Sequence, residues 1–241
     1  MVQMSKRIYL DAGHGGKDPG ACANGLKEAD LAIKVVGYMA SYLSKNYNCE
    51  IYKDTTADDL NTICRRANAW EPDLFVSVHY NAGGGDGYEA LVYSSANEKL
   101  GRIFEKHMKA VGQNSRGVKY RSDLAVLRLT NCKAILNEIA FIDNKKDIAD
   151  WNDPAEMRKA GGALAKAAAE WLGLKKKSNN KTYKALFDMN IRSSGSINGF
   201  VVGHLKKGAT ISGTPAANNW LKTSKGYVRI KGEKTTYLKE I

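Results

Sequence analysis

Along residues 6–172, short apolar runs that end in Gly, Asn or Asp alternate with longer stretches of helical period. Leu31, Val35, Tyr38, Met39 and Tyr42 recur at helical spacing and predict an amphipathic helix over Ala29–Ser44. Leu100, Ile103, Phe104 and Met108 predict another over Asn97–Val111. Leu60–Ala69 and the Ala-rich Asp153–Trp171 read as two more, the last with Pro154 suited to its first turn. Between them, Arg7–Asp11, Cys49–Lys53, Leu74–His79, Tyr88–Tyr93 and Ala134–Phe141 read as strands. Leu74–His79 is bounded by Pro72 and by Asn81 with Gly83–Gly85, the signature of a buried strand. Strands alternating with helices predict a layered α/β domain over residues 1–174.

Past residue 174 the pattern changes. The stretch 175–182 (KKKSNNKT) is polar, basic and aperiodic, and reads as a linker. Short β-rich pieces follow at Phe200–Leu205, Thr210–Ser212, Trp220–Thr223 and Gly226–Ile230, separated by Gly, Ser, Asn and Pro. They predict a small all-β barrel over residues 183–241.

Charge divides the chain in the same place. The net charge is +12 over 241 residues. Residues 1–174 are nearly balanced, whereas residues 175–241 carry 14 basic and 3 acidic side chains, a net +11. The basic region should face an anionic partner. The composition, 43% apolar and 26% charged, is that of a globular protein. No apolar run approaches the ~18 residues of a membrane span. Cys22, Cys49, Cys64 and Cys132 have no metal-binding spacing and read as reduced thiols. The start, MVQMSKRIYLDAGHGG, has no apolar segment of a secretory signal, so synthesis in the cytoplasm without a signal peptide is expected.

Two histidines share a context. His14 follows the strand RIYLDA and opens into Gly-Gly; His79 ends LFVSV and opens into Tyr-Asn-Ala-Gly. Sites in open α/β sheets form outside the carboxyl ends of strands, where two such imidazoles could converge on a metal. Glu28, at the start of the first helix, is either a carboxylate that offsets the helix dipole or a third, oxygen ligand. Two His, one Glu and a water form a recognised catalytic zinc set. Glu138 lies inside the apolar run AILNEIAF, where an unpaired charge is costly. It is either a strand-end or paired carboxylate, or a general acid/base facing the metal. Asn81, two residues past His79, either hydrogen-bonds substrate or shapes the turn. His107 and His204 read as surface residues. No nucleotide-binding glycine motif and no Ser-His-Asp or Cys-His signature is present.

Four segments in order, LDAGHGGKDPGA, LKEADLAIKV, DLFVSVHYNA and AILNEIAFIDNKKD, resemble the zinc-dependent N-acetylmuramoyl-L-alanine amidases of type 3, over roughly residues 6–172. Ala12 stands where that family usually has Pro, and Tyr-Lys-Asp at 52–54 where it has Thr-Arg. The resemblance implies a twisted sheet of about six strands flanked by helices. It implies Zn2+ ligated by His14, Glu28 and His79, with Glu138 as the catalytic carboxylate. The reaction it implies is hydrolysis of the amide between N-acetylmuramic acid and L-alanine in peptidoglycan. The tail is similar to bacterial SH3-like wall-binding modules at Met189–Ser193, Val202–Gly208, Trp220 and Gly226–Val228. The combination looks like a phage endolysin that acts on the wall after release, with anionic polymers of Gram-positive walls as partners of the tail. Two rivals are a zinc peptidase cutting within the stem peptide and a non-enzymatic nucleic-acid binder that uses the basic tail. The latter leaves the His14, Glu28 and His79 arrangement unexplained.

Overall fold

A computed structural model describes residues 5–56 and 59–241. The elements in order are β1 (Lys6–Ala12), the two-residue pair β2 (Cys22–Ala23) and β3 (Leu26–Lys27), α1 (Glu28–Asn46), β4 (Cys49–Asp54) and α2 (Leu60–Trp70). Then come β5 (Leu74–Asn81), β6 (Tyr88–Val92), α3 (Glu98–Lys109), β7 (Ser115–Tyr120), α4 (Ala125–Arg128), β8 (Lys133–Phe141), α5 (Lys145–Trp151) and α6 (Pro154–Leu172). The second part holds β9 (Lys181–Ala185), β10 (Met189–Arg192), β11 (Val201–Leu205), β12 (Thr210–Ala216), β13 (Trp220–Thr223), β14 (Gly226–Arg229) and β15 (Leu238–Glu240). The chain forms two compact units, Met1–Lys177 and Ser178–Ile241. The boundary falls inside the stretch read as a linker. Lys177 still belongs to the first unit, its N–H donating to the Asn46 carbonyl at the end of α1 (2.7 Å).

The first unit is built on a six-stranded sheet in the order β4-β1-β5-β8-β6-β7. β4, β1, β5 and β8 run parallel; β6 is antiparallel to β8, and β7 is parallel to β6. Side chains of a strand alternate between faces, and both faces here are covered. Ile8 and Leu10 of β1, Val76 and Val78 of β5, and Ile135 and Ile139 of β8 pack with α1, α3 and α6. Tyr9, Phe75, Leu91 and Leu136 take the other face, with Ile63, Cys64 and Ala67 of α2 and Val126 and Leu127 of α4. The layered α/β domain that the residue pattern predicts and the six-stranded sheet flanked by helices that the resemblance implies are both present.

Asp153 caps α6, its side chain accepting from the N–H groups of Ala155 and Glu156, and Pro154 follows in the first turn. At Tyr-Lys-Asp 52–54, Tyr52 stacks on Tyr9 and Asp54 pairs with Arg66 (2.5 Å). No helix among the described residues is long and apolar enough to cross a membrane. The four cysteines are free.

The second unit is a seven-stranded antiparallel sheet in the order β11-β10-β14-β13-β12-β9-β15. Its own core holds Tyr183, Ile191, Leu205, Leu221, Val228 and Leu238. The architecture is compatible with an SH3-like module. Sequence patterning locates four of its strands. β9, β10 and β15 are short and carry polar residues, so periodicity does not reveal them.

Candidate active site

The rule that separates the two core faces also assembles the site. Asp11 shares a parity with Tyr9 on β1, and Ser77 and His79 share one with Phe75 on β5. Glu138 shares it with Leu136 on β8, and Glu89 with Leu91 on β6. All five therefore project from the α2/α4 face. His79 and Glu138 are register partners across β5 and β8, and Glu138 is in turn opposite Glu89 on β6.

His14 is brought in by the loop after β1. Gly13 donates its N–H to the Val78 carbonyl (2.9 Å), fastening the loop to β5. His14 itself has φ 63°, a left-handed conformation uncommon outside glycine. Gly13 cannot carry a side chain, because a Cβ there would fall 2.2 Å from the His79 ring. A Cβ on Gly20 would lie 2.7 Å from Glu28 Oε2 and from the His14 ring.

Glu28 is the first residue of α1 and is buried. Its two oxygens face different imidazoles: Oε1 is 2.9 Å from His79 Nδ1, and Oε2 is 3.2 Å from His14 Nε2. The Ala21 N–H donates to Oε2 (2.9 Å) and the Tyr80 N–H to Oε1 (3.1 Å). His14 Nδ1 donates to Asp18 Oδ2 (2.7 Å), and Asp18 Oδ1 accepts from the Gly20 N–H (2.9 Å). The donor atoms of His14, Glu28 and His79 all lie within 4.8 Å of one another.

The electrostatics agree with a cation at this point. Burial pushes Glu28 toward protonation, but the hydrogen bonds from His14 and His79 overcome it and hold the carboxyl well below its usual range. The bond to Glu28, reinforced by Asp18, raises His14 to about 9 against the effect of burial. His79 is raised as well: burial lowers it, and Glu28, Glu138 and Asp11 outweigh that. A carboxylate between two imidazoles thus calls for positive charge, which a divalent metal supplies with the same three ligands. Asp18, which holds the second nitrogen of His14, matches the outer partner usual for a metal-bound histidine.

Glu138 differs from Glu28. Its Oε2 is shielded from solvent and has no hydrogen-bond partner among the described residues. Burial pushes its pKa up to about 7; the charges of Glu28 and Glu89 add to the rise, while His79 and His14 oppose it. Glu89 is engaged by Arg116 Nε (2.8 Å) and Asn81 Nδ2 (3.0 Å). Asn81 Oδ1 also accepts from the Ala82 N–H (2.8 Å), so this amide ties the end of β5 to the following loop and to Glu89 of β6.

A cleft of about 1050 Å³ opens over these groups. Asp11, His14, His79 and Glu138 line its floor. Ile63, Leu91, Leu124, Val126 and Leu136 form an apolar wall, with Asp18, Lys17, Asp59 and Arg121 around them. Sequence reasoning misses Asp18, Glu89, Asp11 and Arg121. Strand parity could have found Asp11 and Glu89, because each shares a face with His79. Asp18 is visible as the carboxylate four residues past His14. Nothing local marks Arg121.

Comparison with known proteins settles the family. Residues 8–170 match the family model described as N-acetylmuramoyl-L-alanine amidase. The chain belongs to the N-acetylmuramoyl-L-alanine amidase family. Over 194 residues this amidase is 41% identical to the endolysin of Bacillus phage SPP1, covering 75% of this chain and 71% of that protein. It is 33% identical over 178 residues to the N-acetylmuramoyl-L-alanine amidase CwlM of Bacillus licheniformis, covering 70% of each. The catalytic domain of CwlV, an amidase from Bacillus (Paenibacillus) polymyxa var. colistinus, superposes with a TM-score of 0.67 at 27% identity, over 70% of this chain and 99% of that one. The amidase is thus a hydrolase, and the matched segment contains His14, Glu28, His79 and Glu138.

Proposed function

We propose that this amidase cleaves the bond between the lactyl group of N-acetylmuramic acid and L-alanine of the peptidoglycan stem, with Zn2+ held by His14, Glu28 and His79. The observation that carries this reading is the pairing of a convergent His-Glu-His set with an unpartnered carboxylate, Glu138, in register beside one of its histidines. Two imidazoles and one carboxylate suit zinc and leave a position for water or substrate. When bound, zinc supplies a Lewis acid that polarises the scissile carbonyl and acidifies the attacking water.

The chain's own residues do the rest. Glu138 takes the proton of the attacking water as its oxygen adds to the carbonyl carbon. The carbon–nitrogen bond then breaks, and Glu138 returns the proton to the departing alanine nitrogen. Burial, with Glu28 and Glu89 beside it, raises the proton affinity of this carboxylate above that of an ordinary glutamate, which suits a group that must both take up and return a proton. Asp18 and the N–H groups of Ala21 and Tyr80 keep His14 and Glu28 aimed at one point. The apolar wall of the cleft keeps bulk water from the bond under attack.

For the second unit, the proposal is an SH3-like wall-binding module whose partners are anionic wall polymers. Its support is the net +11 of residues 175–241 and the 41% identity of the chain to a phage endolysin. Trp220 is buried in this unit, whereas Phe200 (83% exposed) and Phe187 (49% exposed) are aromatics available to a ligand.

Digestion of purified walls followed by mass spectrometry of the new chain ends tests the reaction. New alanine amines with intact glycan chains are expected. New termini inside the stem peptide would instead indicate a peptidase. The Glu138→Ala chain, which leaves walls intact, should co-sediment with them at low salt and less so at high salt, since exposed charge contacts are screened. No sedimentation at any ionic strength would refute the wall-binding role.

A further inference from the structure

The cleft contains a cationic anchor with no assigned part in the hydrolysis. Arg121 follows directly on β7, and its N–H donates to the Val92 carbonyl at the end of β6 (2.9 Å). Its guanidinium grips Asp123 in a two-pronged bond, Nε to Oδ1 (2.8 Å) and Nη2 to Oδ2 (2.7 Å). Both side chains are exposed, so this pair biases the orientation of the fork without locking it. Nη1 has no partner among the described residues. Lys17, on the glycine loop, is the other cationic residue that lines the cleft there.

Arg121 lies within electrostatic reach of Glu138 and Glu89 but is bonded to neither. Glu138 Oε2 is left unpartnered while Arg121 holds Asp123, so Arg121 is not the counter-ion of the catalytic carboxylate. From Arg121 the chain continues into Leu124, Ala125 and Val126, part of the apolar wall.

Substrate chemistry gives this arrangement a use. The alanine nitrogen must meet Glu138 to be protonated. The next residue of the stem is a D-glutamate joined through its side chain, so its α-carboxyl is free, or amidated in some walls. The bond from alanine to this residue is an ordinary peptide bond, the side-chain linkage leading onward to the third residue, so the two α-carbons are spaced by about 4 Å. Glu138, Leu124, Val126 and Arg121 line one cleft, so a stem peptide that runs from Glu138 along that apolar wall would bring this group to the guanidinium.

We propose that Arg121 reads the free α-carboxylate of the second stem residue, which makes this enzyme selective for stems with an acid rather than an amide there. The inference rests on the amide-hydrolysis reading and adds a specificity residue to it. Arg suits the task because a carboxylate accepts a charge-assisted bond that an amide cannot match.

The test compares two soluble substrates, N-acetylmuramoyl-L-alanyl-D-glutamate and the corresponding D-isoglutamine, which differ only at the α-carboxyl. The parent enzyme should favour the acid by about tenfold or more in kcat/KM, the size expected for one hydrogen bond to a charged group. In Arg121→Met the ratio should fall to near one, chiefly through a higher KM for the acid. Arg121→Lys should fall between them, because it keeps the charge and loses the fork. Equal rates on both substrates with the parent enzyme would overturn the proposal. So would an Arg121→Met variant that loses the same factor on both and keeps the parent's ratio. A parent enzyme that releases alanine amines from neither substrate would refute the hydrolysis reading itself, and this proposal with it.

Discussion

His79 and Glu138 stand directly opposite each other on β5 and β8, and both project from the same face of the sheet. A parallel register thus sets a metal-ligand candidate beside an acid/base candidate, although the chain between them passes through β6, α3 and β7. From His79 onward the register shifts before Asn81 pairs with Phe141, so the strand is irregular just where the site begins.

Removing the Glu138 carboxyl should separate chemistry from metal binding. Glu138→Ala is expected to lose about 10²–10⁴ in kcat, the usual cost of losing a general acid/base. Its zinc content should stay at the parent level, because Glu138 is not among the converging donors. Wall-clearing assays together with metal analysis check both. A lysis rate equal to the parent's would refute the catalytic role.

Activity should also fall on the acid side. In the proposed reaction Glu138 acts first as a base, so it must be ionised, and kcat/KM should rise with pH through its pKa. Burial lifts that pKa to about 7, with Glu28 and Glu89 adding to it. A cation on the neighbouring ligands pulls it back toward the ~4.3 of an ordinary glutamate. The acidic limb is therefore expected between those values in a pH–rate profile of the zinc-loaded enzyme. A profile flat from about pH 4 upward would contradict it.

Asp18 should matter although it touches no substrate in this reading. Its bond to His14 Nδ1 fixes the tautomer and aim of that ring. Asp18→Ala is expected to weaken zinc binding by about 10–100-fold, the range for such outer partners. Competition with a coloured chelator measures it. Unchanged affinity would make the Asp18 contact incidental.

A methyl group at Gly13 should injure the site through sterics alone. It would fall 2.2 Å from the His79 ring, far inside contact distance, so ring or loop must move. Gly13→Ala is expected to bind zinc more weakly and to lose about 1–3 kcal/mol of stability, the usual cost of overpacking. Thermal unfolding with and without zinc separates the two effects. Parent-like values in both would mean that the loop accommodates the methyl.

Much of this fold is legible because its elements announce themselves. α1, α3 and α6 carry apolar residues at helical spacing, and β1, β5 and β8 are apolar runs closed by turn residues. β7 escapes such a reading. Its sequence, SRGVKY, carries two cations and a glycine and lies at the sheet edge, where burial imposes little pattern. α5 escapes it as well, being only seven residues long and started by the Asn144 cap rather than by an apolar stripe.

By itself, the sequence determined the residue types and their places at strand ends: His14 after β1, Glu28 at the head of α1, His79 near the end of β5 and Glu138 within β8. Those are local properties, set by strand patterning, glycines and helix-start chemistry. Only the tertiary structure decided that Glu28 bridges both imidazoles and that Glu138 keeps an unpartnered oxygen. It also engaged Asn81 with Glu89 and turned Arg121 to the cleft. The reason is physical: strand order and register fix which distant side chains become neighbours, and burial among those neighbours fixes their charge.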